Sequence, residues 1–192
     1  MQKTKVAILI SGRGSNMQAL IRACEDKNFP AQIAVVISNK QDAAGLEFAK
    51  AQGIETIFVD HKKFASRDEF DKALSAEIEK RNCEIVCLAG FMRLLSSGFV
   101  QKWEGRAINI HPSLLPDFKG ADAVGDAIKA GAKKSGCTVH FVVEEMDAGP
   151  IILQAAVDVA ANDDKASLAA KILQKEHEIY PKALEIVCKK IG

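Results

Sequence analysis

Four short segments in the first half of the chain are hydrophobic almost throughout and rich in valine and isoleucine. They are residues 5–11, 31–38, 55–60 and 84–90. Such runs are typical of strands that are buried on both faces of a parallel sheet. Segments with helical periodicity lie between them, at residues 15–27, 42–52 and 68–81. This alternation predicts a doubly wound α/β fold with right-handed crossovers.

The third predicted helix has the clearest local signals. Ser66 and Glu69 have the spacing of a capping box, which satisfies free N–H groups at the start of a helix. Phe70, Leu74 and Ile78 recur at every fourth position and form an apolar stripe. The sequence therefore predicts that this stripe packs against the sheet.

The pattern changes in the second half of the chain. A strand-like run at 107–110 is followed, within 137–159, by two predicted strands joined by a turn at 147–150. A long final helix is predicted at 165–190, and Pro181 predicts a bend or break in it. We therefore expect a mostly parallel sheet that is extended by a C-terminal β-hairpin and a long final helix. The whole chain, residues 1–192, is expected to form a single domain.

Composition and charge narrow the class of protein. Apolar residues make up 48% and charged residues 27% of the chain, as in ordinary globular proteins. The net charge of +1 argues against a nucleic-acid or membrane-surface partner. The apolar run near the N-terminus is cut at Gly12 without a cleavage pattern, so it predicts a first strand rather than a signal peptide. Five cysteines, an odd number, predict free thiols in a reducing cytoplasm.

A glycine-containing turn, SGRGSN, links the first predicted strand to the first helix. Gly12 and Gly14 allow a tight turn with exposed N–H groups, and Ser15 and Asn16 open a helix whose N-terminus favours an anion. The turn lacks the third glycine of a dinucleotide fingerprint, so a monophosphate fits better than a dinucleotide. A purely structural turn is the alternative.

Asn109 and His111 are separated by one residue in the strand-like run, so both side chains point to the same face. An amide can donate a hydrogen bond to a developing oxyanion, and an imidazole can transfer a proton near neutral pH. A lone histidine after a strand is more often structural, but the neighbouring amide favours function. Asp147 lies in a tight turn, where aspartates usually bond their own backbone. A carboxylate near His111 would instead hold the tautomer of the imidazole.

Glu176 interrupts an apolar row on the final helix. Leu168, Ile172 and Tyr180 are the other members of this i+4 row. Glu176 is therefore either a boundary residue that reaches water or a carboxylate that meets a polar substrate. Cys83 and Cys87 have no second Cys/His pair at zinc spacing, and we expect them to be core residues and no metal to be bound.

Several motifs together resemble the phosphoribosylglycinamide formyltransferases, or glycinamide ribonucleotide transformylases, a folate-dependent enzyme family of purine synthesis. The motifs run along nearly the whole chain: ISGRGSN, AGFMRLLS, INIHPSLLP, GCTVHFV, MDAGPIILQ and EHEIYP. The asparagine, histidine and aspartate within INIHPSLLP and MDAGP are the specific part of this resemblance. It implies the formyltransferase fold and direct transfer of a formyl group from 10-formyltetrahydrofolate to the amine of 5′-phosphoribosylglycinamide.

The resemblance also implies roles for individual residues. Asn109, His111 and Asp147 match the catalytic residues of the family. The residues that match the ribonucleotide site are Gly14, Ser15, Asn16 and Glu176. The residues that match the folate site are Arg67, Met92, Arg93, Leu94, Leu95 and Asn109. Residues 121–126 lack a histidine seen in some relatives, and we assign them no role.

Three other functions fit the sequence less well. Methionyl-tRNA formyltransferase shares the motif, but it has a further RNA-binding domain for which the chain lacks the length and the basic surplus. A folate-hydrolysing deformylase would add an N-terminal regulatory domain. A non-catalytic nucleotide-binding module would leave Asn109, His111 and Asp147 together unexplained. We therefore expect small-molecule substrates, no nucleic acid or membrane partner, and a monomer or homodimer.

Overall fold

The computed structural model describes residues 3–191, and it places seven strands in one twisted sheet. The strands are β1 Thr4–Ile10, β2 Ala31–Ser38, β3 Glu55–Phe58, β4 Ile85–Leu88, β5 Ala107–His111, β6 Lys134–Phe141 and β7 Ile151–Asp158. Their order is β3-β2-β1-β4-β5-β6-β7. Strands β1 to β5 are mutually parallel, and β6 is antiparallel to both of its neighbours, β5 and β7. The predicted doubly wound sheet with a C-terminal hairpin is confirmed.

Six α-helices cover the two faces of the sheet within the described residues. They are α1 Ser15–Glu25, α2 Ala44–Ala51, α3 Arg67–Glu79, α4 Ser97–Lys102, α5 Ala123–Lys129 and α6 Lys165–Ile191. The helices predicted from periodicity correspond to α1, α2, α3 and α6, with ends that differ by up to two residues. The sequence did not predict α4 and α5, because each has fewer than two full turns of pattern.

The core consists of two layers, one on each face of the sheet. Alternate residues of β1 separate the layers: Ile8 lies in the layer with α1 and α6, whereas Leu9 lies in the layer with α3 and Trp103. Both residues are fully buried. The uninterrupted hydrophobic strands are therefore explained by burial of both faces of a largely parallel sheet.

The start of α3 has the capping hydrogen bonds that the sequence predicts. The Ser66 Oγ accepts a hydrogen bond from the Glu69 N–H at 3.2 Å, as the capping-box spacing predicts. The Glu69 carboxylate accepts from the N–H of Ala65, one residue before the cap, at 3.0 Å. Two free donors at this helix end are therefore satisfied.

Helix α6 continues through Pro181, so the expected break is wrong. Proline removes one N–H from the helical ladder, but residues on both sides of it pack tightly. Tyr180 and Leu184 are fully buried, and the Tyr180 hydroxyl donates to the carbonyls of Leu88 and Ile108 at 2.9 and 3.2 Å. Tertiary packing therefore compensates for the lost hydrogen bond.

The β6–β7 connection is longer than the predicted turn and spans residues 142–150. The Val142 N–H still donates to the Ala107 carbonyl at 2.9 Å, so the connection starts beside the first residue of β5. Within residues 3–191, no helix is both long and apolar enough to cross a membrane.

Candidate active site

The strand order defines where a ligand is expected to bind. Because β2 and β4 lie on opposite sides of β1, the chain changes winding direction between β1 and β4. In doubly wound sheets, ligands bind at this switch point, beyond the carboxyl ends of the strands. Three of the motifs lie there: residues 11–16 after β1, 89–95 after β4, and 109–116 at the end of β5.

Asn109 and His111 share one face of β5, as the alternation predicted. Their neighbours Ile108 and Ile110 belong to the opposite core layer, with α1 and α6. The His111 side chain is buried, whereas Asn109 is half-buried and lines a cavity. The strand therefore presents an amide and an imidazole side by side.

Asp147 reaches His111 because the 142–150 connection folds back over this face of the sheet. One Asp147 carboxylate oxygen, Oδ2, lies 3.4 Å from the His111 Nδ1, and the other, Oδ1, lies 3.8 Å from the His140 Nε2. The Gly120 N–H donates to Oδ2 at 3.0 Å.

Asp147 has a φ of 54°, a left-handed conformation that is uncommon outside glycine. At Gly149, a Cβ would overlap the carbonyl oxygen of Phe141, so only glycine fits there.

His140 belongs to this cluster, although the sequence did not single it out as a site residue. It lies opposite Asn109 in the β5–β6 pairing. Its Nδ1 is 2.9 Å from the Phe141 carbonyl and must donate to it, so Nε2 accepts from the Asn109 amide at 3.3 Å. Burial lowers the pKa of His140 and so favours the neutral ring, while the Phe141 carbonyl and Asp147 partly oppose this change. His140 therefore orients Asn109 and leaves one amide N–H of Asn109 available.

The second nitrogen of His111 contacts the loop that follows β5. The His111 Nε2 donates to the Phe118 carbonyl at 2.9 Å, while Nδ1 faces the Asp147 carboxylate. Phe118 has a φ of 51°, so this loop residue also has a left-handed backbone. Both ring nitrogens of His111 thus face oxygen acceptors, and the protonated ring can donate to both.

A cavity of about 160 Å³ adjoins the cluster. It is lined by residues of the 88–100 and 142–147 segments together with Asn109 and His140. Arg93, Leu94 and Leu95, three of the residues predicted for folate, contribute to the lining. An apolar cavity with a few convergent polar groups is the common form of a small-molecule site.

A larger cavity of about 860 Å³ lies between α3 and α4 and contains no histidine. Arg67, predicted for the folate site, lines this groove and not the smaller cavity. We place the active site at the smaller cavity because the amide, imidazole and carboxylate groups converge there.

The two predicted folate residues Met92 and Arg93 are held differently. The Met92 side chain is 76% exposed and does not line the smaller cavity, but its N–H donates to the Ser11 hydroxyl at 2.8 Å. The Arg93 guanidinium carbon lies 5.3 Å from the centre of the Phe70 ring, a cation–π contact.

The glycine turn has the conformation expected from its sequence. Gly14 has a φ of 70° and directly precedes α1, which begins at Ser15. The Gly14 carbonyl accepts from the Gln18 N–H at 2.9 Å, the first bond of the helix. The free N–H groups at this end of an eleven-residue helix form an arrangement that suits an anion.

Asn16 and Glu176, both predicted for the ribonucleotide site, contact each other across 160 residues of sequence. The Asn16 Nδ2 donates to the Glu176 Oε2 at 2.7 Å. Burial raises the pKa of Glu176, and the hydrogen bond from Asn16 opposes this change. The Asn16 Oδ1 is buried without a hydrogen-bond partner among the described residues. The pair therefore offers a polar surface beside the glycine turn.

The described part of the chain contains no cluster of three or more His, Cys, Asp or Glu side chains with the arrangement of a metal site. What converges at the smaller cavity is an amide donor, an imidazole and a carboxylate. These groups can stabilise an oxyanion and move a proton, the two requirements of an acyl-transfer reaction.

Comparison with known proteins identifies the family. The formyl transferase family matches residues 4–184, and the chain belongs to that family. The human trifunctional purine biosynthetic protein adenosine-3 is 52% identical over 186 residues, which is 97% of this chain but 18% of that protein. Phosphoribosylglycinamide formyltransferase from Escherichia coli strain K12 is 45% identical over 176 residues, 92% of this chain and 83% of the relative. The chain thus spans less than a fifth of the human relative.

Solved structures agree with this assignment. Glycinamide ribonucleotide transformylase 1 from Symbiobacterium toebii has a TM-score of 0.96 at 42% identity, covering 98% of this chain and 89% of that one. Phosphoribosylglycinamide formyltransferase from Brucella melitensis has a TM-score of 0.93 at 48% identity, covering 97% and 96%. These values support a shared fold over nearly the whole chain, including the hairpin and the final helix.

Proposed function

We propose that this chain transfers the formyl group of 10-formyltetrahydrofolate to the amine of 5′-phosphoribosylglycinamide, in purine biosynthesis. The observation that carries this proposal is that Asn109 and Asp147 line one cavity while the Asp147 carboxylate lies 3.4 Å from the His111 Nδ1. Membership of the formyl transferase family and the names of the relatives support it.

The amine nitrogen attacks the formyl carbon, and the carbonyl oxygen becomes an oxyanion. The amide N–H of Asn109 that is not bonded to His140 donates to this oxyanion. The new bond between the amine nitrogen and the formyl carbon is kept, and the bond from the formyl carbon to N10 of the folate breaks. The proton that the amine loses is transferred to N10. His111 carries that proton, and Asp147 supports the charged ring. For this role the His111 Nε2 gives up its hydrogen bond to the Phe118 carbonyl and contacts the substrate instead.

Two neighbouring regions hold the two substrates in this proposal. Gly14, Ser15 and Asn16 bind the phosphate of the ribonucleotide at the start of α1, and Glu176 contacts its glycinamide part. The folate occupies the smaller cavity, against Arg93, Leu94, Leu95 and Asn109. Met92 contributes through its backbone, and Arg67 lies in the α3–α4 groove, so its contact with folate stays a prediction.

The reaction as proposed uses no metal and no nucleoside triphosphate, because the leaving nitrogen of the donor already activates the formyl group. The folate is a co-substrate, and both substrates are small molecules. We further propose that the enzyme acts in the cytoplasm as a single formyltransferase domain over residues 1–192, in a monomer or homodimer.

The deciding experiment is an assay of the purified chain with 10-formyltetrahydrofolate and either the glycinamide ribonucleotide or initiator methionyl-tRNA as acceptor. We expect formylation of the ribonucleotide alone, unchanged by a chelator and indifferent to added ATP. Preferential formylation of the tRNA would refute the substrate assignment. A strict need for ATP with free formate, or activity lost on chelation and restored by zinc or magnesium, would refute the mechanism.

A further inference from the structure

Ser11 links the ends of three parallel strands through one buried hydroxyl. It follows the last residue of β1 and is 5% exposed. Its Oγ donates to the Asn39 Oδ1, beyond β2, at 2.6 Å and accepts from the Met92 N–H, beyond β4, at 2.8 Å. The Ser11 N–H also donates to the Gly90 carbonyl at 3.0 Å. The residue therefore fixes the relative positions of the β1 and β4 ends.

The segments on the two sides of Ser11 are the regions to which we assign the two substrates. Gly12 and the glycine turn follow it directly, and the Gly12 carbonyl accepts from the Gly45 N–H at 3.1 Å. Met92 belongs to the loop Phe91–Ser96, called the pocket loop below because Phe91, Arg93, Leu94 and Leu95 line the smaller cavity. One side chain thus contacts the folate region and is covalently continuous with the phosphate region.

The pocket loop is anchored at both ends by atoms outside it. At its far end, the buried Asp71 carboxylate accepts from the Ser96 N–H at 2.5 Å. At its near end, Phe91 stacks on Phe70 with ring centres 6.5 Å apart. The residue after it, Met92, has an exposed side chain that gives the loop little anchorage. The Ser11 hydroxyl is therefore what holds the backbone of Met92.

We propose that Ser11 is a positioning residue that couples the two substrate sites, so that each substrate binds more tightly when the other is bound. This inference rests on the proposed function. A phosphate at the glycine turn orders the backbone that carries Ser11, and Ser11 in turn orders the Met92 N–H and the pocket loop. Because coupling between two sites is reciprocal, folate bound against the pocket loop orders the glycine turn by the same factor.

The expected size of the coupling follows from the hydrogen-bonding groups that would lose their partner if the Ser11 hydroxyl were removed. Alanine at this position leaves the buried Asn39 amide oxygen and the partly buried Met92 N–H without this partner. Losing a buried partner changes an equilibrium by about tenfold. We therefore expect a coupling factor on the order of tenfold in the wild-type chain and below about twofold in Ser11→Ala.

Calorimetry can measure the coupling without turnover, because tetrahydrofolate carries no formyl group. The affinity for tetrahydrofolate is determined with and without saturating glycinamide ribonucleotide, in the wild-type chain and in variants. Ser11→Ala removes the link. Asn39→Leu removes the acceptor of Ser11 and serves as a second test should Ser11→Ala fail to fold, whereas Asn39→Asp keeps an acceptor oxygen.

Ser75→Ala is the matched control. The Ser75 hydroxyl is also buried, and it accepts from the Trp103 indole N–H at 3.1 Å between α3 and α4. This variant should lower the urea midpoint as Ser11→Ala does, but should keep the wild-type coupling. If the role of Ser11 were merely structural, Ser11→Ala and Ser75→Ala would have the same effect on the coupling between the two ligands.

Coupling lost in Ser11→Ala and Asn39→Leu, but retained in Asn39→Asp and Ser75→Ala, would support the proposal. Wild-type coupling in Ser11→Ala, or equal loss in Ser75→Ala, would overturn it. Binding of both ligands to the wild-type chain without any coupling would overturn this proposal alone. Binding of neither ligand would overturn the proposed function as well.

Discussion

Replacement of Asn109 by alanine tests the proposed chemistry most directly. The Asn109 amide nitrogen has two N–H bonds, of which one donates to the His140 Nε2 at 3.3 Å. The other is free to meet an oxyanion at the cavity wall. Removing one such donor from an enzyme typically lowers kcat about 10²–10³-fold, or roughly 2.7–4 kcal/mol. We expect a value near the lower end, about 10²-fold, because His111 remains as a second donor.

Loss of stability cannot account for a change of this size. The bond between Asn109 and His140 is long and half-buried, so its removal costs on the order of 1 kcal/mol of folding free energy. Proteins of this kind are stable by roughly 5–15 kcal/mol, so the variant stays folded at 25 °C. A fall of about 10²-fold in kcat would therefore report on the transition state.

The assay is single-turnover formyl transfer, with substrate affinities measured separately. Asn109→Asp is the companion variant, because it keeps the size of the side chain but removes its N–H donors. It should lower kcat at least as much as Asn109→Ala, whereas both variants should change substrate affinity only slightly. Near-normal kcat in a folded Asn109→Ala protein, or a raised KM with unchanged kcat, would remove Asn109 from the mechanism.

Two further changes test the phosphate region and the charge state of the cluster. Gly14→Val forces a β-branched side chain onto a φ of 70° and should raise the KM for the ribonucleotide on the order of tenfold, with folate binding intact. Gly53→Val is the control, since Gly53 has a φ of 73° in open space. Reduced folate affinity with unchanged ribonucleotide affinity in Gly14→Val would show that the two sites are exchanged. Because burial lowers the pKa of His140, the stability it contributes is complete above its ordinary value of 6.5 and is lost as the pH falls below it. Urea midpoints between about pH 7.5 and 5.5 should therefore fall more steeply for the wild-type chain than for His140→Gln, and parallel curves would contradict a neutral buried ring.

Patterns that depend on burial of whole elements were predictable from the sequence. The hydrophobic runs identified β1, β2 and β4 because both faces of these strands contribute to the core, whereas β3 is an edge strand that is only partly buried. Helix α4 was missed because its stability comes from the tertiary contacts of Phe99 and Val100 and from a serine cap, not from a long periodic pattern. The break predicted at Pro181 was wrong because the packing that keeps α6 continuous could not be seen in the sequence.

The site was predictable where one element carries the residues and not where distant elements meet. Strand alternation placed Asn109 and His111 together, and the helical row placed Glu176 inward. The contact between Asn16 and Glu176, and that between Asp147 and His111, depend on chain paths that no local pattern encodes. The sequence assigned no separate role to His140, because its contact with Asn109 depends on the β5–β6 register that sets the two residues opposite each other.

The close fit at Gly149 has an evolutionary consequence. Any side chain there would have to push aside the backbone carbonyl of Phe141, and a backbone atom cannot yield as a flexible side chain can. The hairpin would widen at its base and withdraw the Asp147 carboxylate from between the two imidazoles. Selection on Gly149 should therefore be as strict as selection on Asp147, although Gly149 has no group to offer a substrate. If Gly149 is invariant among related sequences, that invariance would reflect the space available to the backbone, whereas invariance of Asp147 would reflect the chemistry of its carboxylate.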